Sequence, residues 1–223
     1  MNRREFIRAS SLLTFLFFQS KVKAAEIIAD VNDTANKFLK QITEIILSLR
    51  REGSNIVKKI MNGRKYKFDP YTHYPTDEGI KDNSTGCQLF FHIHRPNEYG
   101  HFHTFSLDDD GELVHLILIS MNKDGEPIGL ATVNRWVTGD KYVKSDKLKE
   151  LAQTFYVNPN LFTDKRIVEF VNYIFKAYQK EIFDLFDERD EWIKNYVNKN
   201  FREPFEDRDY EILSFKKIDL KIR

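Results

Sequence analysis

The chain has one cysteine, Cys87, among 223 residues, so neither an internal disulfide nor a thiolate zinc cluster can form. It also lacks an excess of either charge. Lys and Arg number 35 against 34 Asp and Glu, and a net +1 offers no field that would draw in nucleic acid or an anionic membrane. Its longest apolar run, Ala9 to Phe18, is too short to span a bilayer. Internal repeats and low-complexity stretches are absent. Nine glycines and six prolines, with 41% hydrophobic and 14% aromatic residues, exclude collagen, coiled coil and disorder. What remains is a globular chain with a sizeable core, whose metal chemistry, if any, must rest on His, Asp and Glu. All six histidines lie between His73 and His115.

The first residues read Asn-Arg-Arg-Glu-Phe-Ile-Arg, then the apolar run, then a small-residue site at Val22-Lys23-Ala24. This resembles a twin-arginine export signal, with Arg3 and Arg4 as the pair read by the export machinery. The alternative is an amphipathic first helix of a cytoplasmic domain. The resemblance implies a leader over residues 1–24, a periplasmic destination, and a protein exported already folded, a route that suits a bound cofactor. Five basic residues and one acidic residue lie in that leader, so residues 25–223 carry 30 against 33 and a net −3. Lone Cys87 is expected buried and inert in such a compartment.

Residues 25–223 read as a single α+β domain. Apolar residues from Val31 to Leu49 fall at helical spacing, and a short helix is expected over Asn55 to Met61. Asn62 to Gly86 shows no period and reads as a long irregular connection. Three or four strands follow, roughly Gln88–His94, His101–Leu107, Leu113–Met121 and Gly129–Asn134, the later ones separated by Asp/Asn-Gly turns, as in an antiparallel meander. Helical spacing returns near Lys147–Tyr156. It then runs from Ile167 to Phe186 behind the capping residue Thr163 in one stripe that covers the sheet. Ile218, Leu220 and Ile222 alternate with charged residues as an edge strand would.

The centre of the chain carries the chemistry: His92-Ile-His94-Arg-Pro-Asn-Glu98-Tyr-Gly-His101-Phe-His103. Residues two apart in a strand share a face, so His92 pairs with His94 and His101 with His103 in orientation. A hairpin loop over Arg95–Gly100 places His94 opposite His101 and His92 opposite His103. A slip of two keeps the four together, whereas a slip of one separates them. Four adjacent imidazoles repel when protonated and strand ring nitrogens when buried, and a divalent transition metal (Zn, Fe, Mn, Ni or Cu) answers both problems. Glu98 is a further ligand or the general base. His73 is a weaker candidate that needs tertiary structure to reach the cluster, and so is His115.

Two other readings stand beside the metal site. In one, the histidines line a metal-free groove of a binding or interaction module; in the other, histidine with Glu98 performs acid–base or nucleophilic chemistry. Arg95, Asn134, Arg135 and Trp136 could bind a small anionic or planar substrate. The alternative for the Asn134–Trp136 segment is a polar corner in which Arg135 pairs with a carboxylate and Trp136 fills core.

Gly86, His92, His94 and Glu98, as Gly-x5-His-x-His-x3-Glu, resemble the first metal-binding motif of the cupins. That resemblance implies a β-barrel whose His and Glu side chains hold Fe, Mn or Zn. Phe105 stands at the place of the motif's closing glycine, and no second motif follows. His101-Phe-His103-Thr-Phe105 is similar to the histidine-triad run, with phenylalanine in place of the third histidine. A closer resemblance is to an uncharacterised bacterial domain family that carries a His-Tyr-Pro, here His73-Tyr74-Pro75, a His-Arg-Pro-x-Glu-x-Gly-His-Phe-His, here His94 to His103, and an Asn-Arg-Trp-Val-Thr-Gly, here Asn134 to Gly139. It spans most of the chain and implies no particular activity.

Overall fold

A computed structural model describes residues 32–220. The proposed leader with Arg3 and Arg4, and Ile222 at the other end, lie outside the described residues. Helix α1 spans residues 32–51 and buries Ile42, Ile46 and Leu49, one turn or two apart on a single face. A short α2 follows, Ile56–Ile60, capped by Asn55, whose side chain accepts from the Lys58 N–H at 2.9 Å. The strands are β1 (Asp69–Tyr74), β2 (Ile80–Asp82), β3 (Cys87–Ile93), β4 (Gly100–Leu107), β5 (Leu113–Met121) and β6 (Pro127–Val133). Then come α3 (Arg135–Thr138), α4 (Ser145–Thr154), a 3-10 turn (Pro159–Leu161), α5 (Lys165–Ala177), α6 (Gln179–Asn200) and β7 (Ile212–Lys217).

All strand pairs are antiparallel, in the order β1-β3-β4-β5-β6-β7, with β2 on β3 as well. β1 and β7 end the path without pairing with each other, so the sheet is open and not the barrel that the cupin resemblance implies. One sheet face is covered by the helices. Leu89, Phe91, Phe102, Ile119 and Leu130 meet Ile46, Ile60, Phe170, Ile174 and Phe186 in one continuous core. Alternation along each strand then sends His92, His101 and His103 to the opposite face.

Several elements differ from the sequence expectation. The stretch expected to be irregular holds β1 and β2; β1 is bulged between Asp69 and His73, and β2 has three residues, too short to show a period. Asp164, not Thr163, caps α5, its carboxylate accepting from the Arg166 N–H. The apolar stripe from Ile167 to Phe186 is broken into two helices at Tyr178 (φ −114°, ψ 28°). Because Tyr178 keeps the i+4 spacing from Ile174 to Ile182, the stripe carries no mark of the break. The last strand is Ile212–Lys217, beside β6; Ile218 and Leu220 follow it and are buried in the helix-side core.

Candidate metal centre

The hairpin register lies two residues from the expected one. His92 is opposite His101 and Phe90 opposite His103, because β3 ends at Ile93 and the connection runs over residues 94–99. Gly100 sets this limit: a Cβ there would lie 2.3 Å from Phe91 Cζ, and its φ of +153° disfavours side chains. Slipping by an even number preserves the faces, so the histidines stay together. One ligand nitrogen from each of His92, His94, His101 and His103 lies within 4.8 Å of every other. Ring centroids of His92–His94, His94–His101 and His101–His103 are 4.5, 4.9 and 4.7 Å apart.

The other two histidines join the same face by different routes. His73 sits opposite His92 across the β1–β3 pair, their rings 4.7 Å apart. His115 arrives through a bulge. At β4–β5, His101 faces Ser120 and His103 faces Leu118, but Phe105 faces His115, so β5 carries one extra residue between them. That residue flips the parity of the strand. Without it His115 would point into the helix-side core; with it, His115 Nε2 lies 2.9 Å from His103 Nδ1.

The ring nitrogens sort into inner and outer sets. His101 Nδ1 is tied to Glu98 Oε1, and its Nε2 lies 3.0 Å from His103 Nε2. His103 Nδ1 is engaged by His115. His92 Nε2 is buried and has no hydrogen-bond partner among the described residues, while the Pro70 carbonyl lies beside the ring as an acceptor. For three of the four rings, one nitrogen is thus held by an outer group and the other points at its neighbours, the arrangement that outer partners impose on metal-ligating histidines. With a metal–nitrogen distance of about 2.1 Å, the edge of a tetrahedron is about 3.4 Å. The observed separations bracket that value. Four neutral imidazoles suit Zn, Cu, Ni or Fe.

Burial disfavours the protonated form of His92, His94, His103 and His115. Burial, aided by His101 and His94, pushes His92 down to about 3; burial and His101 push His94 to about 4. Burial holds His103 well below the ordinary imidazole range and brings His115 to about 4. For Glu98, burial opposes ionisation, but hydrogen bonds from His101 and Ser120 and the charge of Arg95 outweigh it and keep the carboxyl below its usual range. Glu98 therefore stands behind His101 as a carboxylate partner, its side chain only 4% exposed, and is not among the residues lining the adjoining cavity.

That cavity, of about 590 Å³, opens on His73, His92, His94 and His103 and falls within the size class of small-molecule sites. Phe90 and Phe105, stacked with centroids 5.5 Å apart, form part of its wall, with Trp136 and Val137 opposite the histidine side in sequence origin. Of the residues expected to bind substrate, Trp136 alone lines it. Arg95 sits between two carboxylates, with Nε 3.2 Å from Glu211 and Nη1 3.5 Å from Glu98. Arg135 pairs with Glu206 at 2.6 Å and packs over Phe205. Asn134 is fully buried; its Nδ2 donates to the carbonyls of Pro204, Asp207 and Tyr210, and its Oδ1 accepts from the Arg135 N–H. Trp136 Nε1 donates to the same Tyr210 carbonyl. This segment therefore clamps the 204–211 loop, which carries Glu211 to the cavity wall. Glu211 has no local sequence signal and was not foreseen.

Asn134→Ala would remove the side-chain amide that joins the Pro204, Asp207 and Tyr210 carbonyls, each left with a single donor, and would leave the space of a fully buried polar side chain. It is expected to cost about 3 kcal/mol and to open residues 201–211 to proteolysis. An unchanged urea midpoint would contradict the clamp.

Fold and site together define an α+β protein whose antiparallel sheet presents, on the face away from its helices, four histidines placed to hold a metal ion. The chain belongs to the family described as Domain of unknown function (DUF6969), whose model matches residues 36–218. No curated protein and no solved structure matches it. Among the described residues, no helix is long and apolar enough to cross a membrane.

Proposed function

We propose that this protein is an exported, divalent-metal-dependent enzyme that acts on a small molecule held in the cavity beside the histidines. The observation that carries the reading is the buried, unpartnered Nε2 of His92 within a set of four convergent imidazoles. A buried ring nitrogen without a partner is costly, and a metal removes that cost. His92, His94, His101 and His103 would hold the ion, and the ion would supply a Lewis acid at the cavity wall. Glu98 fixes the His101 ring and strengthens it as a donor, and His115 does the same for His103. Phe90, Phe105 and Trp136 exclude water and orient an apolar substrate.

The test is metal content of tag-free protein by mass spectrometry after equilibration with Zn, Mn, Fe, Ni or Cu. About one equivalent of one metal is expected. A chain that stays empty overturns the reading. It would leave the row Glu98–His101–His103–His115, hydrogen-bonded through successive ring nitrogens, as a metal-free acid–base device.

Export rests on the leader resemblance. Arg3→Lys with Arg4→Lys is expected to leave the protein in the cytoplasmic fraction, since the pair is read by a receptor; periplasmic recovery of that variant would refute the route.

A further inference from the structure

The cavity has an unbalanced chemistry. Its walls are aromatic and aliphatic apart from the histidines and Thr138, and among the described residues Glu211 is the only formally charged one that lines it. Arg95 is not among the lining residues and sets one guanidinium between two carboxylates, Glu211 and Glu98, while Arg135 is turned onto Glu206. Glu211 is also rigidly held. Its carbonyl accepts the Asn134 N–H at 2.8 Å, and the loop before it is clamped by the Asn134 side chain. Its Oε1 is buried, 3.2 Å from Arg95 Nε, while the side chain as a whole stays 34% exposed.

We infer that Glu211 selects the ligand: the cavity takes a small planar, largely apolar molecule bearing an N–H donor, best a protonated amine, which pairs with the Glu211 carboxylate while the ring lies along Phe90 and Phe105. The stacked phenylalanine pair supplies a flat apolar surface, on which an aromatic ring gains contact area. A carboxylate fixed in the wall, which shares one guanidinium with a second carboxylate, attracts a charged donor and rejects a carboxylate or phosphate group, because the anion would meet like charge. Phosphate esters and nucleotides are thereby disfavoured at this end of the cavity. This deepens the proposed function and rests on its reading of the cavity as the substrate side of the histidine cluster.

The test uses two probes of one ring system, tryptamine and indole-3-acetate, titrated by calorimetry into the tag-free chain kept metal-free with chelator, so that neither probe can gain from a metal. Tryptamine is expected to bind at least about tenfold tighter, the scale of one charge-assisted hydrogen bond. In Glu211→Gln that preference is expected to shrink to about threefold or less. Equal affinities, tighter indole-3-acetate, no measurable tryptamine binding, or a preference that survives Glu211→Gln would each overturn the inference. Metal content read on the same proteins separates the two ideas. Equal probe affinities in a chain that takes up one of the five metals would sink the ligand class alone, whereas the tenfold preference in a chain that takes up none of Zn, Mn, Fe, Ni and Cu would sink the metal reading alone.

Discussion

Replacing His101 by Ala is expected to abolish stoichiometric metal binding, whereas Glu98→Ala, two bonds further out, is expected to weaken it by about 10- to 100-fold. The difference follows from position. His101 is fully buried at the centre of the cluster, with rings of His92, His94 and His103 around it. Glu98 touches only the far nitrogen of that ring and Ser120 and Arg95 beyond it. Were Glu98 a direct ligand or the base that attacks substrate, its loss would damage metal binding or turnover as severely as loss of a histidine. Metal titration of both variants, followed by competition with a chelator of known affinity, checks the ranking. Metal removal should also lower the melting temperature. At a free metal concentration of a thousand times Kd the ion adds about 4 kcal/mol, which in a chain of this size corresponds to a shift of about 10 °C. A wild-type protein whose melting is indifferent to chelator would contradict a metal held by the fold.

The metal-free protein is expected to lose stability steeply as pH falls below about 6.5. His92 and His115, 7% and 6% exposed, are held down to about 3 and about 4, below their ordinary value, principally by burial. The unfolded chain therefore takes up protons first. Their contribution is complete above the ordinary imidazole pKa and is lost progressively down to the depressed values. Each costs about 2 kcal/mol by pH 5, against a total stability of about 5–15 kcal/mol for a domain. An acid midpoint of about pH 4 to 5 is expected for the metal-free chain. It should move to lower pH when metal occupies the lone pairs that protons would take. Circular dichroism across pH, with and without chelator, reads both. The slope of stability against pH should flatten in His115→Leu, which removes one of these rings without touching the four convergent nitrogens. An unchanged slope would show that the ring titrates normally in the folded state.

The even spacing of His92/His94 and His101/His103 was sufficient to put them on one face, since strand parity survives the two-residue shift between the expected register and the observed one. The helix stripes were equally legible, because burial of an amphipathic face leaves a period in the chain. Where the period is interrupted or continues through a break, the reading failed: β1 is bulged, β2 is three residues long, and Tyr178 divides a helix without disturbing its apolar spacing.

Composition and strand parity thus determined by themselves an α+β chain without a thiolate cluster, in which four of six histidines are gathered on one face of a β-hairpin. Only the tertiary structure decided the rest of the site. The bulge in β5 reverses the parity of His115, a single extra residue that no local pattern announces. The His73–His92 pairing depends on a strand with no period. Glu211 reaches the cavity through a loop tied to the Asn134 side chain by carbonyl hydrogen bonds, whose acceptors are backbone groups and leave no trace in the identity of the loop residues. Glu98 became a partner of His101 rather than a residue of the cavity lining because the hairpin tip folds back over β5, where Tyr99 N–H donates to the Met121 carbonyl and Ser120 meets the carboxylate.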